Sequence, residues 1–236
     1  MKKVISMAAV AVIFGANALF AETSGVFLGV EIGYGAGKFE NKITTNGANQ
    51  NANYDGGGIK YGVVVGYKQF FTQYLGLRYY ANLGVTHAKL ESNSVATGYG
   101  WKDRVYGTLV NYGANVDFLA NFVSNQTVDF GAFLGLGIGG NTWTGRDLDD
   151  HEDYLNGIAQ QLGTSASLTR TGFDLSLNVG LRTNIATHHG IELVAKVPFL
   201  QTKLFDKTIS NAGVNLNIKN TLHQAFSVTA RYTYSF

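Results

Sequence analysis

Hydrophobic and polar residues alternate along most of the chain after residue 21. In the segment GVFLGVEIGYG, Val26, Leu28 and Val30 share one register, and Gly29 and Glu31 share the other. Successive side chains of a strand point to opposite faces, so this pattern predicts a strand with one apolar face. Seven later segments repeat it, near residues 59–68, 75–85, 106–118, 128–138, 173–182, 191–199 and 226–236. The pattern thus predicts eight strands of roughly 10 to 14 residues, and a strand needs about 9 to 11 to cross a bilayer.

The two faces of these strands differ in a way that a soluble sheet does not explain. The apolar face carries no charged residue, whereas the other face is mostly Gly, Ser, Thr and Asn with a few charges. A soluble barrel would bury the apolar face and place many Lys and Glu residues on the other. Small inward residues suit the narrow interior of an eight-stranded barrel. We therefore predict an all-β fold, a transmembrane antiparallel up-and-down β-barrel spanning residues 22–236.

The connections between the predicted strands alternate between long and short. Outer-membrane barrels combine short periplasmic turns with longer external loops, so the long connections are predicted to be extracellular. The last of them keeps a strand-like register, which predicts that strands seven and eight project past the membrane and turn near residues 211–213. A barrel of ten strands is the alternative. The predicted long loops cover residues 37–57, 88–104, 140–170 and 203–222.

The first 21 residues have the layout of a secretory signal peptide. Lys2 and Lys3 precede an apolar run from Val4 to Phe14, and a cleavage point follows Ala21. The run is shorter than the about 20 residues of a membrane-spanning helix. Removal of residues 1–21 takes away two of the 18 basic residues and none of the 16 acidic ones, which leaves a neutral chain. That balance, with charged residues at only 14%, argues against a nucleic-acid partner and a cytosolic enzyme and favours a bacterial outer membrane protein.

The C-terminus carries the most specific motif. The ending ARYTYSF places Tyr232, Tyr234 and Phe236 on the outward face, and it resembles the terminal strand of bacterial outer-membrane barrels. The resemblance implies that these aromatic residues are the recognition signal for the β-barrel assembly machinery. Together with GVEIGYG, VGYKQFF and LGLRYYANLGV, this ending resembles the Helicobacter outer membrane protein family, in particular its small members. That family includes adhesins and porins, but this chain has no room for the additional extracellular domain of the large adhesins.

The inward register carries both signs of charge. Ions in a narrow, partly dry lumen must be paired. We expect the pairs Glu31–Lys60, Arg78–Asp117 and Arg182–Glu192, and the network either fills the lumen or forms a selectivity constriction. Its members are predicted to be Glu31, Lys60, Lys68, Arg78, Asp117, Asp129, Asp174, Arg182, Glu192, Lys196 and Arg231.

Three functions follow from these features. The first is a structural or surface-interaction role, with host or surface ligands bound by the outer loops and the lipid bilayer and lipopolysaccharide as lipid partners. The alternative is a small porin-like channel for ions or small solutes. The remote alternative is an outer-membrane lipid hydrolase, for which His87, His223, Ser92, Ser94 and Glu91 are the candidates.

The third predicted loop contains the densest charge cluster of the chain. Its carboxylates are a weak candidate for a divalent cation site, but they lack the spacing of an EF-hand, and a solvated loop is the simpler interpretation. We therefore predict no metal and no cofactor, and a protein that is not an enzyme. The residues of the cluster are Asp147, Asp149, Asp150, Glu152 and Asp153.

Overall fold

A computed structural model describes residues 22–45, 48–92, 104–125, 127–161, 165–211 and 214–236. The predicted signal peptide lies outside the described residues. Those residues form nine strands and one helix. Their bounds are β1 Gly25–Thr45, β2 Ala48–Phe70, β3 Leu75–Ser92, β4 Arg104–Ser124, β5 Val128–Thr144, α1 Arg146–Gln161, β6 Thr171–Ile185, β7 His189–Pro198, β8 Thr202–Asn211 and β9 Val214–Ser235.

The strands close into a ring of eight. Consecutive strands β1 to β7 pair antiparallel, β7 pairs with β9, and β9 pairs with β1. A closed ring leaves no strand edge in the hydrocarbon region, where an unpaired backbone group costs several kcal/mol. The predicted eight-stranded barrel is confirmed, and the described residues do not form the ten-stranded alternative.

Strand β8 continues the interrupted seventh strand. Strand β7 ends at Pro198, which has no amide hydrogen to donate to the ladder. The chain resumes pairing at Thr202, and β8 then follows the upper half of β9 as far as the pair Asn211 and Val214. The strands therefore project as predicted, although residues 212 and 213 of the predicted turn lie outside the described residues.

The alternation correctly predicted which side chains face outward. Val30, for example, is 56% exposed and Leu134 is 55% exposed, as expected for side chains that contact lipid. Along β1, the outward side chains change from apolar Val30 and Tyr34 to charged Lys38, Glu40 and Lys42, which are also exposed. This change marks the level at which the barrel leaves the hydrocarbon region.

The strands are longer than predicted, and two of the predicted loops are mostly strand. Within 37–57, β1 continues to Thr45 and β2 begins at Ala48; within 203–222, β8 continues to Asn211 and β9 begins at Val214. Strand β2 alone has 23 residues, about twice what a bilayer requires. The prediction was wrong here because these segments are polar for another reason: they are strands whose outer surface contacts water instead of lipid. Within the predicted loop 88–104, β3 continues to Ser92 and β4 begins at Arg104.

The range 140–170 is also not a simple loop. It contains the end of β5 and the 16-residue helix α1. Leu148, Leu155 and Ala159 are buried on one face of α1, at the spacing of an amphipathic helix. Asp147 and Asp149 lie in its first turn, where negative charge is favourable. Within the described part of the chain, no helix combines the length and apolar composition needed to cross a membrane.

Helix α1 closes one end of the barrel over an apolar core. We call this end the cap end, and the end that holds Glu22 and Phe236 the terminal end. Trp143, Leu148 and Leu204 belong to one buried cluster with inward side chains of β1 to β4, and Leu155 and Phe205 belong to a second cluster. The cap end is therefore a packed structure that continues the barrel above the membrane.

Candidate functional site: the charged lumen and its cap

The structure places the eleven predicted lumen residues inside the barrel. Ten of them are buried, and the side chain of Lys196 is 14% exposed. They lie on eight different strands, so closing the ring brings together groups that are distant in sequence. The lumen therefore gathers buried charges of both signs in one place.

Arg78 is the centre of the network. Its Nη2 lies 2.7 Å from Asp117 Oδ2, its Nη1 also binds Glu192, and its guanidinium stacks over the ring of Phe133. The second carboxylate oxygen of Glu192 lies 3.4 Å from Arg231 Nη1, and Arg231 Nη2 lies 2.9 Å from Glu31 Oε2. One continuous chain of ion pairs thus crosses the lumen from β4 to β1.

Glu22 is a further member of the network, which the alternating pattern does not predict. It is buried at the terminal end, where its carboxylate accepts hydrogen bonds from Lys68 Nζ at 2.7 Å and from Arg182 Nη1 at 2.8 Å. The predicted pair Arg182–Glu192 is wrong, because Arg182 binds Glu22 while Glu192 binds Arg78 and Arg231. The predicted set had six cations and five carboxylates; Glu22 is the sixth carboxylate. The sequence signal for it was an acidic residue between the cleavage point and the first strand.

The ion pairs nearer the cap end are looser. Lys60 Nζ lies 3.6 Å from Glu31 Oε1 and donates a hydrogen bond to Ser227 Oγ at 3.1 Å. Lys196 Nζ lies 3.8 Å from Asp174 Oδ2, which is beyond hydrogen-bonding distance. We call the space between these groups the lysine chamber, lined by Glu31, Lys60, Asn178, Lys196, Ser227 and Arg231 among others.

Apolar side chains fill much of the remaining lumen. Phe27, Val64 and Tyr80 form one buried cluster, and Phe70, Leu119, Phe133 and Val194 form another. The lysine chamber has a cavity of about 10 Å³, about the smallest that holds a single water molecule. The pattern of small and polar inward residues did not predict these inward aromatic and aliphatic side chains.

The predicted acidic cluster holds the cap together. Asp149 and Glu152 both bind the guanidinium of Arg170, which follows the helix. Asp147 Oδ2 accepts a hydrogen bond from the backbone amide of Tyr106 at 2.7 Å. Asp150 and Asp153 are exposed on the outer face of α1. The described residues contain no group of three or more His, Asp or Glu side chains placed to hold a metal ion.

The pKa values of Glu152 and His151 in the cap are both lowered. Burial raises the pKa of Glu152, but hydrogen bonds from Arg170 and the amide of Leu168 outweigh it, so the pKa lies below its usual value. Burial lowers the pKa of His151 to about 3. Its Nε2 lies 2.8 Å from Asn220 Nδ2 and accepts a hydrogen bond from that amide, which requires an unprotonated ring nitrogen.

The described hydrolase candidates, His87, Glu91, Ser92 and His223, are not assembled into a triad. His87 Nε2 lies 3.0 Å from Tyr61 Oη, and its Nδ1 lies 3.1 Å from Thr108 Oγ1. Glu91 forms ion pairs with Lys89 and Arg104. His223 Nδ1 lies 3.4 Å from the carbonyl oxygen of Leu200. Ser92 is the last residue of β3, and Ser94 lies outside the described residues.

The aromatic residues of the C-terminus line the outer wall at the terminal end. Tyr232 and Tyr234 face outward, and Phe236, which is 71% exposed, packs edge-on against Tyr234. The amide of Phe236 donates to the carbonyl oxygen of Val26, so the last residue is paired with the first strand. His189 Nδ1 lies 2.8 Å from Tyr232 Oη.

Comparisons with known proteins agree with this architecture. A family model described as Helicobacter outer membrane protein matches residues 62–236. The outer membrane protein OprG of Pseudomonas aeruginosa has a similar structure, with a TM-score of 0.52 and 13% identity over 92% of this chain and 99% of that one. The attachment invasion locus protein Ail of Yersinia pestis is similar at a TM-score of 0.33 and 15% identity, over 89% of this chain and 98% of that one. No curated protein matches the chain.

Proposed function

Because the chain belongs to the Helicobacter outer membrane protein family and lies in the bacterial outer membrane, we propose that it is a non-conducting barrel that displays its cap on the cell surface. The proposal assigns the barrel an anchoring role and the cap end the contact with ligands outside the cell. It places the terminal end in the periplasm, as expected when an even number of strands closes the ring.

The packed lumen is the observation that carries this proposal. The ion-pair network spans the bore, apolar clusters fill the space beside it, and the lysine chamber has a cavity of only about 10 Å³. Eight-stranded barrels have an interior just wide enough to be filled by side chains, whereas water-filled channels need many more strands. A hydrated ion would have to displace buried Arg78 or Arg231 together with their carboxylates.

The construction of the cap supports the display role. Helix α1 is fixed by buried Leu148 and Leu155, and Arg170 joins the helix to the segment that follows it. The amide of Thr169 donates to the carbonyl oxygen of Leu204 at 2.8 Å, which connects this segment to β8. A rigid surface can bind a ligand without the entropy loss that a mobile loop would incur.

The outward side chains above the apolar band suit the predicted lipid partner. Lys38, Lys42 and Lys89 point away from the barrel just beyond the hydrocarbon level. Ammonium groups at this level would contact the phosphates of lipopolysaccharide if the cap end faces outside. In the same orientation, Tyr232, Tyr234 and Phe236 would be presented to the assembly machinery from the periplasmic side.

Conductance in planar bilayers tests the closed lumen. We expect no steady openings from the refolded wild-type barrel, and none after Lys60→Met. The porin-like alternative predicts steady openings whose ion selectivity changes in the Lys60 variant. Steady wild-type openings would refute the proposal.

Surface proteolysis of whole cells tests the orientation. Cleavage confined to the cap end and outside the packed residues 146–170, with heat-modifiable gel mobility retained by the remaining barrel, is the expected result. Cleavage after Asn125 or near Thr187, in turns at the terminal end, would show the opposite orientation.

A further inference from the structure

The apolar outer wall of the barrel has a groove that crosses β9, β1, β2 and β3. Its volume is about 690 Å³, within the range of about 300–1,000 Å³ that is usual for ligand sites. Ala230 is one of its lining residues, and the ladder partners of Ala230, Ile32 and Leu193, are much larger. The groove therefore lies where the outward side chains of the wall are short; its lining includes Val30, Val63, Val85 and Ala230.

Two tyrosines lie at opposite ends of the groove. Tyr61 Oη lies 3.0 Å from His87 Nε2, in the direction of the cap end. Tyr232 Oη lies 2.8 Å from His189 Nδ1, in the direction of the terminal end. Because each hydroxyl is held by a histidine outside the groove, the two rings lean apart. The space between them is therefore open along the apolar band.

On the cap side of the groove, the same strands form a small polar recess. A Cβ at Gly57 would lie 2.5 Å from Tyr34 Oη, so the phenol of Tyr34 lies across the outward side of this glycine. Gly57 is the ladder partner of Ala36 on β1 and of Lys89 on β3. Both Ala36 and Gly57 are small, so the Tyr34 hydroxyl and Lys89 border one recess in the wall.

The charged groups around this recess are exposed and only loosely paired. Lys38 Nζ lies 3.6 Å from Asp55, and Glu91 pairs with Lys89 at 2.7 Å and with Arg104 at 3.3 Å. Exposed ion pairs contribute little, and an ammonium group has three donors, so both lysines can bind a further anion. The described outward positions of β1 to β4 beyond the apolar band hold four basic and three acidic groups: Lys38, Lys42, Lys89, Arg104, Glu40, Asp55 and Glu91.

We infer that the groove and the recess bind one lipopolysaccharide molecule, with an acyl chain of its lipid A in the groove and a lipid A phosphate between Lys38 and Lys89. The inference deepens the proposed function and rests on its orientation, in which the cap end faces outside. The groove accepts hydrocarbon, the Tyr34 hydroxyl can donate to a phosphate or sugar oxygen, and the lysines attract negative charge. This combination suits an anionic amphiphile, and lipopolysaccharide is the anionic lipid of the outer leaflet.

Native mass spectrometry of the refolded wild-type barrel with bisphosphorylated lipid A measures the binding. We expect one lipid A per barrel, bound more tightly than phosphatidylglycerol. Lys38→Gln/Lys89→Gln should weaken lipid A binding about 25-fold, since each lysine near an anionic lipid contributes a factor of about five. The exposed Lys203→Gln on β8 is the matched control and should change the affinity little.

Filling the groove tests the acyl chain separately. Ala230→Phe should weaken lipid A binding about tenfold, because the ring excludes about two methylene groups from the groove. Ala132→Phe, at an outward position of β5, is the control and should leave the binding unchanged. Both variants keep an apolar outer wall, and retained heat-modifiable gel mobility shows that they fold.

Three results would overturn the inference. They are a wild-type barrel that binds no lipid A, equal affinity for phosphatidylglycerol, and lipid A binding that either the lysine variant or Ala230→Phe leaves unchanged. Surface proteolysis of whole cells determines the orientation independently. A failure of the lipid site is therefore distinguishable from a failure of the display role.

Discussion

Lys68 Nζ lies 2.7 Å from Glu22 Oε1 at the terminal end of the lumen, and both side chains are buried. The same carboxylate binds Arg182. A single acidic residue before the first strand therefore pairs with cations from two strands, β2 and β6. Removing one partner of a buried ion pair leaves an uncompensated charge, which typically costs about 3–5 kcal/mol.

Glu22→Gln should therefore lower the free energy of unfolding by about 3–5 kcal/mol, measured by urea titration of the barrel in lipid vesicles. The double variant Glu22→Gln/Lys68→Met restores the charge balance and should recover part of the loss. Glu40→Gln, on the exposed outer side of β1, is the control. A loss of the same size in the control would show that Glu22 has no special role.

The cap should loosen in mild acid because of His151. The pKa of the folded group is lowered by burial to about 3, whereas an unfolded histidine has its pKa near 6.5. The opened cap therefore binds the proton more readily than the closed one between these values, and stability falls as the pH falls through this window. At pH 5 the loss relative to pH 7 is about 2 kcal/mol.

Hydrogen exchange of the α1 amides, corrected for intrinsic rates, measures this opening. We expect faster exchange in α1 at pH 5 and little change in β5. The carboxylate of Glu152 stays ionised at this pH because its pKa is below its usual value. His151→Asn should abolish the pH dependence, and if the variant kept it, another group would be responsible.

Leu148 fixes the helix to the cap core. It is 1% exposed and belongs to the cluster that contains Trp143 and Leu204. Leu148→Ala should destabilise the docking of α1 by about 2–5 kcal/mol. Limited proteolysis should then cut within residues 146–170 while heat-modifiable gel mobility stays unchanged. Tyr154→Ala, on the exposed face of α1, should leave the cap resistant; cleavage in both variants would argue against a packed cap.

Two glycines should respond to alanine in opposite ways. A Cβ at Gly58 would lie 1.7 Å from the backbone oxygen of His87, so Gly58→Ala must push β2 and β3 apart. Such overpacking typically costs about 1–3 kcal/mol or more. Gly157 in α1 has nothing within 4 Å of that position, and Gly157→Ala should add about 0.5–1 kcal/mol to helix stability. Urea titration of the barrel tests the first variant, and hydrogen exchange of α1 tests the second.

The sequence was sufficient for the barrel because lipid imposes a strict rule on the outer face. Val30 and Leu134 must face hydrocarbon, and their neighbours in sequence must face the lumen, so the side chains alternate regularly around both residues. Beyond the hydrocarbon region the outward side chains contact water, so they need not be apolar. The segments after Gly37 and before Gly57 look like loops for that reason, although the barrel continues through them.

The parts that the sequence did not predict lack a periodic signal. Glu22 stands alone before the first strand, and only the closed ring shows that two cations converge on it. In α1, the spacing of Leu148 and Leu155 is hidden among five acidic residues that suggested solvent. Arg182 and Glu192 are partners in the β6–β7 ladder, yet Arg182 binds Glu22 and Glu192 binds Arg78. These contacts across the lumen follow from the closed ring rather than from local patterns.

Glu31 and Arg231 join the first and last strands of the ring, 200 positions apart in sequence. The two residues are direct partners in the β1–β9 ladder, which closes the ring. A slip of β9 by one residue would turn Arg231 towards lipid, and a slip by two would carry it past Glu31. The pair thus favours one register of β9 against β1. A barrel closed in another register would leave these charges unpaired and would be less stable.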